Sequence, residues 1–176
     1  MILYPPKQFD QNEWFIIFSV VAIWIILLWV RPRFGTTTII MIWMFNVFLA
    51  ETADFLIAAK PYDFYSLNDH PDYEWFDVVL YFLLYPPAAL LGLHVQQKWG
   101  YSMFKIMGMT FLWAGVSVGL EWIALNNQVF TYKKWHLYYS LIVYILVFPL
   151  NVTVFRFVRK QIDLSTQSNS DDQAIP

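Results

Sequence analysis

The chain has 176 residues, 59% of them apolar and only 14% charged, where a soluble domain carries about a quarter charged residues. A formal net charge of -2 without any basic stripe gives nucleic-acid binding no footing. The absence of cysteine excludes disulfides, thiolate metal sites, a cysteine nucleophile and lipidation on cysteine. The fold class these numbers point to is all-α, an integral membrane bundle of about five transmembrane helices, because a helix satisfies its own backbone hydrogen bonds in lipid.

About 20 apolar residues are needed for one crossing, and five runs approach that length. The first, residues 14–30, holds no charge and is flanked by Trp14 and Trp29. It is expected to be retained rather than cleaved as a signal, since its leader mixes Lys7 with Asp10 and Glu13 and Arg31-Pro32-Arg33 follows. The second, 36–59, is interrupted only by Glu51 and Asp54. The third, 75–94, carries Pro86-Pro87 near its middle, where two missing donors predict a kink. The fourth, 102–125, has Lys105 near one end and Glu121 near the other, and the fifth, 136–157, has no acidic residue. Residues 161–176 are rich in Ser, Asn, Asp and Gln and predict a disordered polar tail after one domain spanning 1–160.

The cation count predicts topology. With the N-terminus outside, the inner side holds Arg31, Arg33, Lys98, Lys105, Arg156, Arg159 and Lys160, and the outer side Lys7, Lys60, Lys133 and Lys134. Seven against four favours N-terminus out and C-terminus cytoplasmic, with the acidic loop of Asp63, Asp69, Asp72 and Glu74 outside.

Helical spacing predicts what each span hides. Glu51 and Asp54 sit three apart on one side of span two, with Asn46 in the same broad arc. Thr110, Ala114, Ser117 and Glu121 form a stripe on span four, and Gly108, Gly115 and Gly119 lie opposite. The Gly115-x-x-x-Gly119 pair would admit a close helix, which puts span four at the centre of the bundle. Asp77, Tyr81, Tyr85, Ala88 and Gly92 line one side of span three, and His136, Ser140, Tyr144 and Asn151 one side of span five. These four stripes are expected to face one another.

Glu51, Asp54 and Glu121 would then lie in the outer half of the membrane, level with His136, Tyr139 and Ser140 at the start of span five. Ionisable groups inside a span cost on the order of 2.5–3.5 kcal/mol each, so they persist when paired, hydrated or useful. This cluster is either a polar pocket for a cation, a proton or a lipid head group, or a set of hydrogen bonds that locks the bundle. Neither a metal nor a cofactor is expected, because the three histidines are scattered and no H-E-x-x-H pairing occurs. No nucleophile elbow or phosphate loop is present, so no catalytic residue stands out.

One block, Glu121-x10-Tyr132-x2-Trp135-x3-Tyr139-Ser140, together with Tyr85-Pro86, resembles a family of small multi-span membrane proteins of Bacillus-type, endospore-forming bacteria. The resemblance covers residues 75–160, and it implies a bacterial cytoplasmic-membrane protein of about this size without implying an activity. The chain departs from the family pattern in having Asn126 and Asn127 where a second glutamate would follow Glu121. Tyr132 and Trp135 read on their own as an interfacial aromatic block. The expected function is a non-enzymatic accessory bundle contacting membrane lipids and a partner membrane protein or a second copy of itself. Two alternatives stay open: a small oligomeric proton- or cation-binding transporter, and a lipid-modifying enzyme using Glu121 and His136.

Overall fold

A computed structural model of the chain describes residues 3–58, 61–69 and 73–173. Five helices run through it: α1 is Gln11–Val30, α2 Thr36–Ile57, α3 Trp75–Trp99, α4 Met103–Asn126 and α5 Leu137–Gln173. All five are long and apolar enough to cross a membrane. Their outer surface suits no solvent but lipid: Trp29 is 84% exposed, Phe104 87% and Phe48 67%, a degree of apolar exposure that water would punish on every side. Two short strands, β1 (Tyr65–Leu67) and β2 (Phe130–Tyr132), pair antiparallel at one end of the bundle. His70 and Asp72 of the acidic loop, and Lys60, lie outside the described residues.

The helix at the centre is α3, not α4. It packs against α1, α2, α4 and α5, whereas α4 packs mainly along α5. Gly108, Gly115 and Gly119 meet nothing within 4 Å, so the Gly115–Gly119 face receives no helix of this chain. The close approach instead falls at Gly92 of α3, where a Cβ would come 3.0 Å from both Trp113 of α4 and Phe148 of α5. Spacing alone could not choose between these glycines, because a small residue permits a contact without requiring one.

The proline pair of α3 produces a π-helical turn rather than a simple break. The helix begins as α over Trp75–Val79, widens through Leu80–Leu84 and resumes over Tyr85–Trp99, with the Tyr85 amide reaching back to the Leu80 carbonyl. Pro87 has no N–H to give the Leu83 carbonyl four residues earlier. Trp24 of α1 donates its indole N–H to that carbonyl at 3.0 Å. An orphan acceptor inside the bilayer is thereby satisfied by a side chain.

Helix α5 runs on to Gln173, where the sequence predicts a disordered tail from residue 161. Once a long apolar helix is nucleated, extending it costs little per residue, and neither Gly nor Pro interrupts residues 150–175.

Two buried apolar layers hold the bundle. Near the strands, Ile16, Leu80, Tyr81, Ala124 and Val129 pack with Tyr65 and Leu67. Toward the other end, Ile42, Leu90, Leu93, Met109, Phe148, Val152 and Phe155 form the second layer. The strand-bearing end is further tied by the N-terminal segment: the Tyr4 amide donates to the Tyr73 carbonyl (3.0 Å) and the Trp75 amide to the Tyr4 carbonyl (3.1 Å).

Three buried carboxylates adjoin this bridge. Glu13 accepts the Asp10 amide at 2.8 Å, Asp77 accepts the Glu74 amide at 2.8 Å and the Asn68 amide group at 2.7 Å, and Glu74 accepts the Asp69 amide at 3.3 Å. Burial, with the Asp77 carboxylate next in weight, pushes Glu74 from about 4.5 up to about 7. A raised carboxylate favours the protonated fold, so Glu74 contributes fully below about pH 4.5 and its contribution is lost as pH rises through about 7.

Two outcomes follow from these contacts. The unfolding midpoint of the detergent-solubilised chain should be higher at pH 5 than at pH 8, and Glu74→Gln should shrink that difference. Gly92→Val should cost about 1–3 kcal/mol by overpacking, while Gly115→Ala should leave thermal unfolding unchanged or slightly raise it.

Candidate functional site

Between the two apolar layers lies a cavity of about 220 Å³ bordered by α2, α3, α4, α5 and the paired strands. Each helix contributes one stripe: Asn46, Ala50 and Asp54 from α2, Tyr85 and Ala88 from α3, Trp113, Ser117 and Glu121 from α4, and Ser140, Tyr144, Phe148 and Asn151 from α5. Tyr65, Phe130, Tyr132 and Trp135 close the strand end. No Lys, Arg or His lines it, so its two carboxylates have no basic partner among the described residues.

The carboxylates are held by hydroxyls. Tyr65 and Tyr81 donate to Asp54, the latter at 2.6 Å. Tyr132 and Ser140 donate to the same oxygen of Glu121, Oε1, the serine at 2.7 Å. Trp135 in turn donates its indole N–H to Ser140 Oγ at 2.8 Å. The second oxygen, Oε2 of Glu121, is buried and accepts no hydrogen bond of normal geometry, with the Tyr144 phenol beside the same carboxylate.

The short sheet explains how both acids are reached together. Tyr65 and Tyr132 are directly opposed in its register. Opposed residues on antiparallel strands project to the same face, so one cross-strand pair delivers a phenol to each carboxylate. Burial, reinforced by the carboxylate each one touches, pushes both phenols above their ordinary ionisation, which keeps them as donors. Three backbone amides, of Lys133, Lys134 and Trp135, converge on the Phe64 carbonyl and fix the turn from β2 into α5. Deeper in the bundle, Asn46 donates to Asn151 Oδ1 at 2.8 Å, joining α2 to α5.

Of the residues singled out from sequence, Asp54, Glu121, Tyr132, Trp135 and Ser140 line this one cavity. Glu51, His136 and Tyr139 do not. The cavity-facing arc of α2 ends at Asp54, and at 100° per residue Glu51 falls about 60° beyond that edge; its side chain is exposed. His136 precedes the first turn of α5 and stacks outside on Tyr138, with ring centroids 5.4 Å apart, beside Tyr139. The pairing of Glu121 with His136 that acid–base catalysis would need is therefore not made. Tyr132 and Trp135 belong to the site with their polar atoms, not only to an aromatic belt.

Sequence reasoning overlooked Tyr65, whose loop carried no helical period to read. The available signal was the β-prone triplet Phe130–Tyr132, which needed a partner strand. Among the described residues no group of three or more His, Asp or Glu is arranged to hold a metal ion.

No protein-family model matches this chain, and no curated protein or solved structure is significantly similar to it.

Removing a hydroxyl should cost what a buried charged hydrogen bond costs. Tyr132→Phe and Ser140→Ala should each lower unfolding stability in detergent by about 1–3 kcal/mol. The double variant should lose less than the sum, because both hydroxyls serve Glu121 Oε1. Glu51→Gln should stay within about 0.5 kcal/mol; a Glu51 effect larger than that of Tyr132 would overturn this assignment of roles.

Proposed function

We propose that the chain is a non-enzymatic, multi-pass membrane protein whose cavity binds a small cationic group, with Asp54 and Glu121 as its counter-charges. The observation that carries this reading is Glu121 Oε2, a buried acceptor that takes no hydrogen bond of normal geometry, at the wall of a cavity that contains two carboxylates and no base. A buried acceptor left unsatisfied costs about 1–3 kcal/mol or more, and a ligand donor removes that cost. The lining favours an ammonium over a bare metal ion. Tyr65, Tyr85, Trp113, Trp135 and Tyr144 line the cavity together with the acids, and a ring face turned to a weakly hydrated cation attracts it by about 0.5–2 kcal/mol.

We further propose a bacterial cytoplasmic membrane as the location, with the N-terminus outside, on the grounds of the family resemblance and the cation count. The cavity and the two strands then lie toward the outer surface. An accessory role, with a partner membrane protein or a second copy bound in the bilayer, draws its support from Gly108, Gly115 and Gly119, which leave one face of α4 open to a close neighbour.

Tetramethylammonium is a suitable probe of the cavity. It should raise the unfolding midpoint of the purified full-length chain in detergent, in proportion to occupancy, where sodium at equal ionic strength does not. Glu121→Gln and Asp54→Asn should abolish the increment while the proteins remain folded. No increment with the wild-type chain, for tetramethylammonium or for methylammonium, would remove the reading.

A further inference from the structure

At the end of the bundle away from the strands, a second pocket of about 290 Å³ opens between Tyr101 and the last turns of α5. Its polar lining consists of Tyr101, Arg156, Arg159, Lys160, Asp163 and Gln167. Arg159 and Lys160 lie three and four residues after Arg156 and so neighbour it on one side of α5. Three cations face one carboxylate, and no ion pair among the described residues involves any of them.

The guanidinium groups are held in place by rings rather than by acids. Arg156 lies 5.4 Å from the centroid of the Tyr101 ring and Arg159 lies 5.7 Å from that of Phe155. The fork donors of both are left open by stacking, the arrangement that suits bidentate recognition of an oxyanion. Tyr101 adds a buried hydroxyl with no hydrogen-bond partner. Two residues further on, α4 begins at Met103, and its N-cap Ser102 makes no side-chain hydrogen bond to the first turn. That leaves helix N–H groups and the positive end of the helix dipole nearby.

We propose that this pocket is a phosphate-binding site, filled from the membrane by the head group of an anionic phospholipid or from solution by free phosphate. The chemistry is common to both sources: a compact, multiply charged group with several acceptor oxygens, matched to two guanidiniums, an ammonium and a phenol. Leu164 on the same wall provides exposed apolar surface beside the cations, and a run of cations at the close of an apolar stretch suits the level of lipid phosphates. The site is independent of the cavity near Glu121, from which it shares no lining residue.

The test uses the full-length chain in detergent, with phosphatidylglycerol, phosphatidylcholine and inorganic phosphate as probes, and reads bound lipid by native mass spectrometry and the unfolding midpoint in parallel. One phosphatidylglycerol should be retained per chain in preference to phosphatidylcholine; stabilisation by inorganic phosphate at equal ionic strength would instead identify the soluble source. Arg159→Gln should weaken binding roughly tenfold or more, as loss of a charged hydrogen bond does. Lys160→Gln, whose side chain makes no hydrogen bond or ion pair among the described residues, should weaken binding without lowering stability. No preference for either phosphate probe over phosphatidylcholine and chloride, or unchanged binding by both variants, would overturn the site.

Discussion

A carboxylate removed from water inside a bundle of apolar helices must be given a cation, a proton or hydrogen-bond donors, and Asp54 and Glu121 are given hydroxyls. Each receives two: Tyr65 and Tyr81 on one, Tyr132 and Ser140 on the other. Four helices and both strands are fixed relative to one another by this requirement. Helices α2 and α4 carry the acids, α3 and α5 supply Tyr81 and Ser140, and the two strands supply the remaining phenols. Unsatisfied, either acid would carry a desolvation cost comparable with a large share of a protein's net stability.

The same rule governs the backbone. The π-helical turn of α3 and the Trp24 indole on the Leu83 carbonyl answer the donors lost at Pro86 and Pro87. That bond ties α1, otherwise the least buried helix, to the central one. The strand-bearing end is built from backbone as well, through the Tyr65–Tyr132 register and the bridge from Tyr4 to Glu74. The exposed Lys133–Asp63 pair, at 2.6 Å, spans the same two loops but in water contributes little.

The two ends of the bundle are chemically opposite. One holds a cavity with two acids and no base; the other holds a shallower pocket with three bases and one acid. Satisfied hydroxyl donors keep the first compact around a single open acceptor, Glu121 Oε2, while ring stacking keeps the second open around unpaired donors. The first feature follows from the rule that buried polar groups seek partners; the second is an excess of donors on exposed side chains, Arg156, Arg159 and Lys160.

Hydropathy alone determined the five spans, because crossing lipid demands about 20 apolar residues whatever the neighbours do. The 3.6-residue period likewise placed Asp54, Glu121, Ser140, Tyr144 and Asn151 on inward stripes, since a helix fixes its own side-chain directions. The tertiary structure decided which edge of each stripe reaches the cavity, and so separated Asp54 from Glu51, three residues away, and Ser140 from His136, four away. It decided that Gly92, not Gly115 and Gly119, takes a close neighbour, and that α3 is central. It also decided that Tyr65 meets Asp54, a contact set by the pairing of Tyr65 with Tyr132, 67 positions further along the chain, in loops whose residues carry no helical period. Local periodicity records the direction of a side chain from its own helix; what that side chain meets depends on packing that only the assembled bundle specifies.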